Sequence, residues 1–174
     1  MDKLFFLFCF TFLLTISAES QISDSTKGNF LEQQFSDSIA QINEQNEHLK
    51  ASRDAYNEGL ILLKNESYNE AIPCFTKALS MDSIFFQAYL SRAKCYEKSD
   101  NNLAIADYLK TFELDSTNLY PLYVVAILHL KSDKTLAEGM YTTILSLKND
   151  EYKAMSQLGI IAFTDGKYEN AEQL

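Results

Sequence analysis

The chain has 174 residues and a formal net charge of −9, because 24 acidic side chains outnumber 15 basic ones. This acidity disfavours binding to nucleic acid or to anionic membrane surfaces, since both would repel it. Hydrophobic residues make up 47% of the chain, with 12 Phe and 10 Tyr, which is enough for a packed core. Only 5 Gly and 2 Pro are present, too few for the frequent turns of an all-β protein. A mostly helical chain is therefore predicted.

The first twenty residues have the layout of a secretory signal peptide. Lys3 precedes an apolar run that begins at Leu4 and extends to Ile16, and the small and polar residues 17–20 follow. The run is well short of the roughly 20 residues that a membrane-spanning helix needs. We predict a signal peptide over residues 1–20, cleaved after Ala18 or Ser20, with an uncleaved anchor as the alternative. The protein is accordingly expected to be exported, to a bacterial periplasm or as a secreted protein. Contact with a membrane is expected only if the segment is uncleaved or a further helix follows.

The stretch from residue 21 to residue 50 joins this segment to the rest. Residues 21–30 contain Ser, Asp, Gly and Asn and are typical of a linker. Residues 31–49 carry apolar side chains at mostly helical spacing in a polar background. We interpret them as a helix that caps the helices that follow; the alternative, an oligomerising coiled coil, would need more heptads. The apolar residues are Leu31, Phe35, Ile39, Ile42 and Leu49.

From about residue 52 the sequence repeats with a period of 33 or 34 residues. Two series of small residues mark the period, and a large aromatic residue follows the second series by four positions. Small residues let two antiparallel helices approach closely, and the aromatic residue fills the space beside the contact. A single helix pair cannot bury its apolar faces, so neighbouring pairs must stack. The series are Gly59, Ala93, Ala126 and Gly159, then Ala71, Ala104, Ala137 and Ala171, with aromatics at Phe75, Tyr108 and Tyr141.

The stretches YNEGLILLKNESYNEAIPCFTKALSMDS and RAKCYEKSDNNLAIADYLKTFELDST, and the later QLGIIAFTDGKYENAEQL, resemble the tetratricopeptide repeat family. The resemblance implies an all-α solenoid of helix-turn-helix repeats over residues 51–174. Its three repeats cover residues 52–85, 86–118 and 119–149, and an incomplete fourth covers 150–174. Arg92 stands where the family has an aliphatic residue. Because the fourth repeat stops about six residues into its second helix, we expect either a fragment of a longer protein or a truncated gene product.

No sequence motif points to catalysis. The chain lacks a phosphate-binding glycine loop, a zinc-protease motif and a nucleophile elbow, and it has two His. We predict a protein without enzymatic activity, cofactor, metal or small-molecule substrate.

Ser67 and Glu70 have the spacing of a capping box. Cys74 and Cys95, on neighbouring helices, either form a disulfide or remain two buried free thiols.

The resemblance implies that the first helices of the repeats line a concave face. Lys64, Lys98 and Lys131 occupy equivalent helix ends, so they form a basic rim or merely complement the helix dipoles. The partner-binding residues predicted on this face are Tyr56, Leu60, Lys64, Leu90, Lys94, Lys98, Tyr123, Ile127 and Lys131.

Some family members hold a C-terminal carboxylate with Lys, Asn and Arg side chains. The corresponding positions here are Tyr56, Leu60, Ser91, Tyr120 and Val124, so that clamp is missing and binding of chaperone tails is not expected. The predicted function is a non-enzymatic scaffold that binds a partner peptide or helix in the concave groove. One alternative is the sensory ectodomain of a longer membrane signalling protein with a kinase or DNA-binding output. Another is an accessory repeat attached to a hydrolase.

Overall fold

The computed structural model describes residues 24–130 and 132–165. All regular structure in these residues is helical, and they divide into two compact units at the boundary between residues 46 and 47. The helices are α1 (Asp24–Lys64), α2 (Tyr68–Met81), α3 (Phe86–Tyr96), α4 (Asn101–Leu114), α5 (Tyr120–His129), α6 (Lys134–Leu147) and α7 (Tyr152–Thr164).

Helix α1 differs from the prediction for the start of the chain. It runs without a break for 41 residues, so Asp24–Phe30 are helical and not a linker. Adding a residue to an existing helix costs little compared with nucleating one, so the helix extends through this polar stretch despite its composition. The side chains of Phe35, Ile39 and Ile42 are about half exposed. The predicted signal peptide lies outside the described residues.

The repeats are formed by α1 with α2, α3 with α4, and α5 with α6, and α7 begins the fourth. Each helix from α2 onward packs extensively against the next one in sequence. Most of the small residues that mark the period are buried, and Ala71, Ala93, Ala104, Ala126 and Ala137 have no exposed surface. The aromatic residues four positions later, Phe75, Tyr108 and Tyr141, are buried as well. The predicted all-α repeat architecture is thus confirmed.

Gly59 shows why the period needs small residues. A Cβ atom at this position would lie 2.6 Å from Cε1 of Phe75, which is completely buried in α2. Phe75 packs with Ala71 and Cys95, so the contact joins α1, α2 and α3. The missing side chain is what allows α1 to approach α2 this closely.

Helices α4 and α6 begin with side-chain caps that the sequence analysis did not identify. Asp100 accepts hydrogen bonds from the backbone N–H groups of Asn102 and Leu103, and Asp133 accepts one from Leu136. The capping box predicted at Ser67 is wrong, because the Ser67 side chain caps nothing. Its ψ of 60° departs from the extended backbone of the two Asp caps, so the hydroxyl is not directed at the helix.

An ion pair links three helices of the first two repeats. Arg92 of α3 donates two hydrogen bonds to Asp107 of α4, at 2.7 and 2.8 Å, and a third to Thr76 of α2 at 3.0 Å. Both side chains of the pair are largely buried. The departure from the family pattern at Arg92 is therefore matched by a complementary carboxylate on the adjacent helix.

Candidate functional site

Each of the four repeats contributes one side chain at the same position of its first helix. Leu60 in α1, Lys94 in α3, Ile127 in α5 and Ile160 in α7 follow one another at the repeat period. Ile127 and Ile160 are 50% and 53% exposed, which is high for isoleucine. We call the exposed side chains of this set, together with the lysines at the helix ends, the first-helix face. It comprises Lys64, Lys94, Lys98, Ile127 and Ile160.

Four of the predicted binding residues belong to the packing between repeats. The ring of Tyr56 lies 4.7 Å from that of Phe85 and 5.7 Å from that of Phe75, measured between centroids. Leu60 packs against the cluster around Phe75, and Leu90 packs against the cluster around Tyr108. These three side chains are half-buried, so they form the floor of the face and not its projecting surface.

Tyr123, the fourth of these residues, joins the third repeat to the fourth. Its hydroxyl donates a 2.9 Å hydrogen bond to Glu151, and its ring packs against Tyr141. Burial and the hydrogen bond to Glu151 raise the pKa of Tyr123 to about 12. Lys153 Nζ lies 5.0 Å from the centroid of the Tyr123 ring, a cation–π contact.

Three of the four predicted lysines are described, and none of these three has a salt-bridge partner among the described residues. Lys94 Nζ lies 5.8 Å from the ring centroid of Tyr120, and Lys98 Nζ lies 5.7 Å from that of Tyr68. Lys64 is exposed at the last position of α1. Their ammonium groups are therefore held near aromatic rings or left in solvent. Lys131 lies outside the described residues.

The carboxylate closest in sequence to Lys94 and Lys98 is already engaged. Glu97 accepts a short hydrogen bond from the hydroxyl of Tyr108, which is fully buried. Burial and this hydrogen bond raise the pKa of Tyr108 strongly. Because Glu97 is directed toward Tyr108, it does not neutralise Lys94 or Lys98 through a salt bridge. The first-helix face thus presents three exposed lysines without a salt bridge among the described residues, in a protein whose net charge is −9.

A cavity of about 370 Å³ lies beside Lys98, between the turns of the first two repeats. It is open and mostly polar, and it includes the start of α2 and the turn that follows α3. Its lining residues are Glu66, Ser67, Tyr68, Asn69, Glu70, Lys98 and Ser99.

The remaining candidate ligands and nucleophiles are the His, Cys, Asp and Glu side chains. The described residues contain no cluster of three His, Cys, Asp or Glu side chains that could hold a metal ion. Cys74 and Cys95 are both free thiols. Burial raises the pKa of Cys95 to about 11, so this thiol is a poor nucleophile at neutral pH.

Three side chains that contact predicted binding residues were not identified from the sequence. They are Tyr68, Tyr120 and Lys153, which contact Lys98, Lys94 and Tyr123 respectively. Tyr120 was considered only as a position where the carboxylate clamp is missing, although it lies one repeat before Lys153 at the same period. The repeat period therefore could have indicated Tyr120 and Lys153 as equivalent positions on neighbouring first helices. The contact between Lys98 and Tyr68 crosses from one repeat to the previous one and has no signal in the sequence.

A family model described as tetratricopeptide repeat matches residues 55–85, which is the first repeat. Among curated protein sequences, none matches this chain significantly. Three solved structures illustrate the similarity of fold.

The first TPR of Spaghetti (RPAP3), bound to the HSP90 peptide SRMEEVD, is 20% identical with a TM-score of 0.56, over 68% of this chain and 95% of that one. The Yersinia enterocolitica type III secretion chaperone SycD, in complex with a peptide of the translocator YopD, is 16% identical with a TM-score of 0.57. That match covers 65% of this chain and 93% of the other. MamA is 17% identical with a TM-score of 0.61, over 88% and 91%.

The helices and these comparisons define the class of the protein: an all-α solenoid with the fold of tetratricopeptide repeats. The matched family is a repeat family and not a catalytic one. None of the described helices is long and apolar enough to cross a membrane.

Proposed function

We propose that this protein is an exported, non-enzymatic scaffold that binds a segment of a partner protein on its first-helix face. The observation that carries the proposal is the combination of unpaired lysines with exposed isoleucines on equivalent helices of one solenoid. Exposed apolar side chains among polar ones are typical of surfaces that bind other proteins. Two of the similar structures contain a bound peptide, which supports a peptide as the ligand class.

The charges and apolar groups suggest how the partner segment is arranged. Lys64, Lys94 and Lys98 belong to the first two repeats, whereas Ile127 and Ile160 belong to the last two. A matching segment carries Asp or Glu at one end and large apolar side chains at the other. Because the receptor helices are already folded, binding orders only the ligand and costs less free energy.

The test begins with a photo-crosslinking amino acid in place of Ile127, introduced into the full chain in its native host, to identify the bound segment by mass spectrometry. A synthetic peptide of that segment is then titrated against the purified protein and its variants. We expect Lys94→Glu to weaken binding about tenfold at low salt, an effect that added salt reduces. Lys77→Glu, an equally exposed lysine on the second helix α2, should leave the affinity unchanged. Equal effects of the two variants would refute a basic binding face.

Export is a separate part of the proposal and rests on Lys3 and the apolar run that follows it. The mature protein isolated from its host should begin at Gln21 or at Glu19. An N-terminus at Met1 or Asp2 on a protein that remains in the cytoplasm would refute it.

A further inference from the structure

The segment of α1 in the first compact unit exposes a stripe of apolar side chains. Leu31 is half-buried, and Phe35, Ile39 and Ile42 are 52%, 57% and 45% exposed. At 100° per residue these four side chains lie within about 80° of the helix circumference. A row of this kind on a helix surface is unusual unless another molecule covers it.

The spacing along the stripe matches a coiled-coil seam. Leu31, Phe35, Ser38 and Ile42 follow one another at intervals of four, three and four residues, as residues at the d and a positions of heptads do. Because α1 begins at Asp24, the seam is preceded by further helix on its N-terminal side. The seam itself spans about one and a half heptads, so the association is expected to be weak.

The charges around the stripe restrict what can cover it. Residues 29–46 contain no Lys or Arg, which disfavours an anionic membrane surface. Asp37 and Glu44 lie on the opposite side of the helix, and Gln33 donates a 2.9 Å hydrogen bond to Asp37 there. On one side the stripe is bordered by the neutral amides of Gln34 and Gln41.

We propose that the stripe is a self-association surface, and that its occupant is the same segment of a second copy of this chain. Two such helices bring apolar rows together with uncharged glutamines beside them and acidic residues pointing away. Two copies of a strongly acidic protein therefore associate there without placing Asp37 or Glu44 of one copy against those of the other. Only Glu32 borders the row. The polar Ser38 in the seam makes the dimer weaker than an all-apolar one and restricts its register.

This proposal is independent of peptide binding, because it concerns residues 31–42 and not the first-helix face. Sedimentation equilibrium of the full mature chain, from about 1 to 100 µM, should show a monomer–dimer equilibrium. Phe35→Gln should raise the dissociation constant at least tenfold. Phe30→Gln is the matched control, since Phe30 is 48% exposed but lies outside the stripe, and it should leave the equilibrium unchanged.

A second measurement keeps the test valid if Phe35→Gln unfolds the helix. Position 38 lies in the seam near the middle of the stripe, whereas the adjacent position 37 faces the opposite side. Under mild oxidation Ser38→Cys should give a disulfide-linked dimer through the introduced thiol, identified by peptide mass mapping, and Asp37→Cys should not. A chain that remains monomeric throughout the concentration range, or equal crosslinking of the two variants, would overturn the proposal.

Discussion

The close approach of Gly59 to Phe75 leads to a prediction in which one substitution has opposite effects at two helix positions. Replacing a mid-helix glycine by alanine stabilises a helix by about 1 kcal/mol when the methyl group has space. At Gly139, inside α6, an added Cβ meets nothing within 4 Å, so Gly139→Ala should realise that gain. At Gly59 the same Cβ would lie 2.6 and 2.9 Å from atoms of the Phe75 ring.

Phe75 has no exposed surface and is enclosed by neighbouring side chains, so its ring cannot move aside without disturbing α2 and α3. Overpacking of this kind costs about 1 to 3 kcal/mol, which exceeds or cancels the helical gain. We expect Gly59→Ala to lower the free energy of unfolding by up to about 2 kcal/mol, the difference between these two terms.

The assay is urea-induced unfolding followed by circular dichroism at the helical band, with each variant compared with the parent chain. Combining Gly59→Ala with Phe75→Leu should reduce the penalty, because the shorter side chain frees the space that the methyl group needs. If Gly59→Ala stabilises the protein as much as Gly139→Ala does, the close contact between α1 and α2 is wrong.

Two further predictions concern the polar contacts between repeats. Asp107→Ala leaves the guanidinium of Arg92 largely buried without its carboxylate and should cost about 3 kcal/mol in urea unfolding, whereas Lys110→Ala, in an exposed pair, should change little. The pKa values of Tyr123 and Tyr108 are raised in the folded protein above the value of about 10 expected in the unfolded chain. Above pH 10 the unfolded chain loses tyrosine protons that the folded one keeps, so stability should fall as pH rises from 10 toward 12. Urea unfolding of the parent and of Tyr123→Phe between about pH 9 and pH 12 checks this, because the variant should lose less stability as pH rises, and equal losses would contradict it.

The repeat architecture could be predicted because its determinants are local and periodic. Ala71, Ala104 and Ala137 recur at a fixed period that predicts close helix contacts, and all three are buried in the structure. The candidate site was harder to predict from the sequence, because the exposure of a side chain depends on how it packs between repeats. Tyr56 and Ile127 both belong to first helices, yet Tyr56 packs into the core while Ile127 remains half exposed.

The start of α1 and the cap of α2 show another limit. The Ser, Asp and Gly residues before Phe30 favour a linker on composition, but extending an existing helix outweighs that preference. Ser67 and Glu70 have the spacing of a capping box, but the backbone around Ser67 does not have the geometry of a cap. Glu66, in the turn before it, adopts a positive φ of 60°. Whether a capping side chain reaches its target depends on dihedral angles that spacing alone does not specify.

Among the described residues, the most extensive packing of α2 to α7 is between helices that follow one another in sequence, and this has an evolutionary consequence. In such a stack the energetic effect of a substitution is confined to its own repeat and the adjacent ones. The surface of the third repeat can therefore change through mutation while the first keeps its stability. Specificity for a partner can accordingly be modified in one part of the solenoid while distant repeats keep their stability.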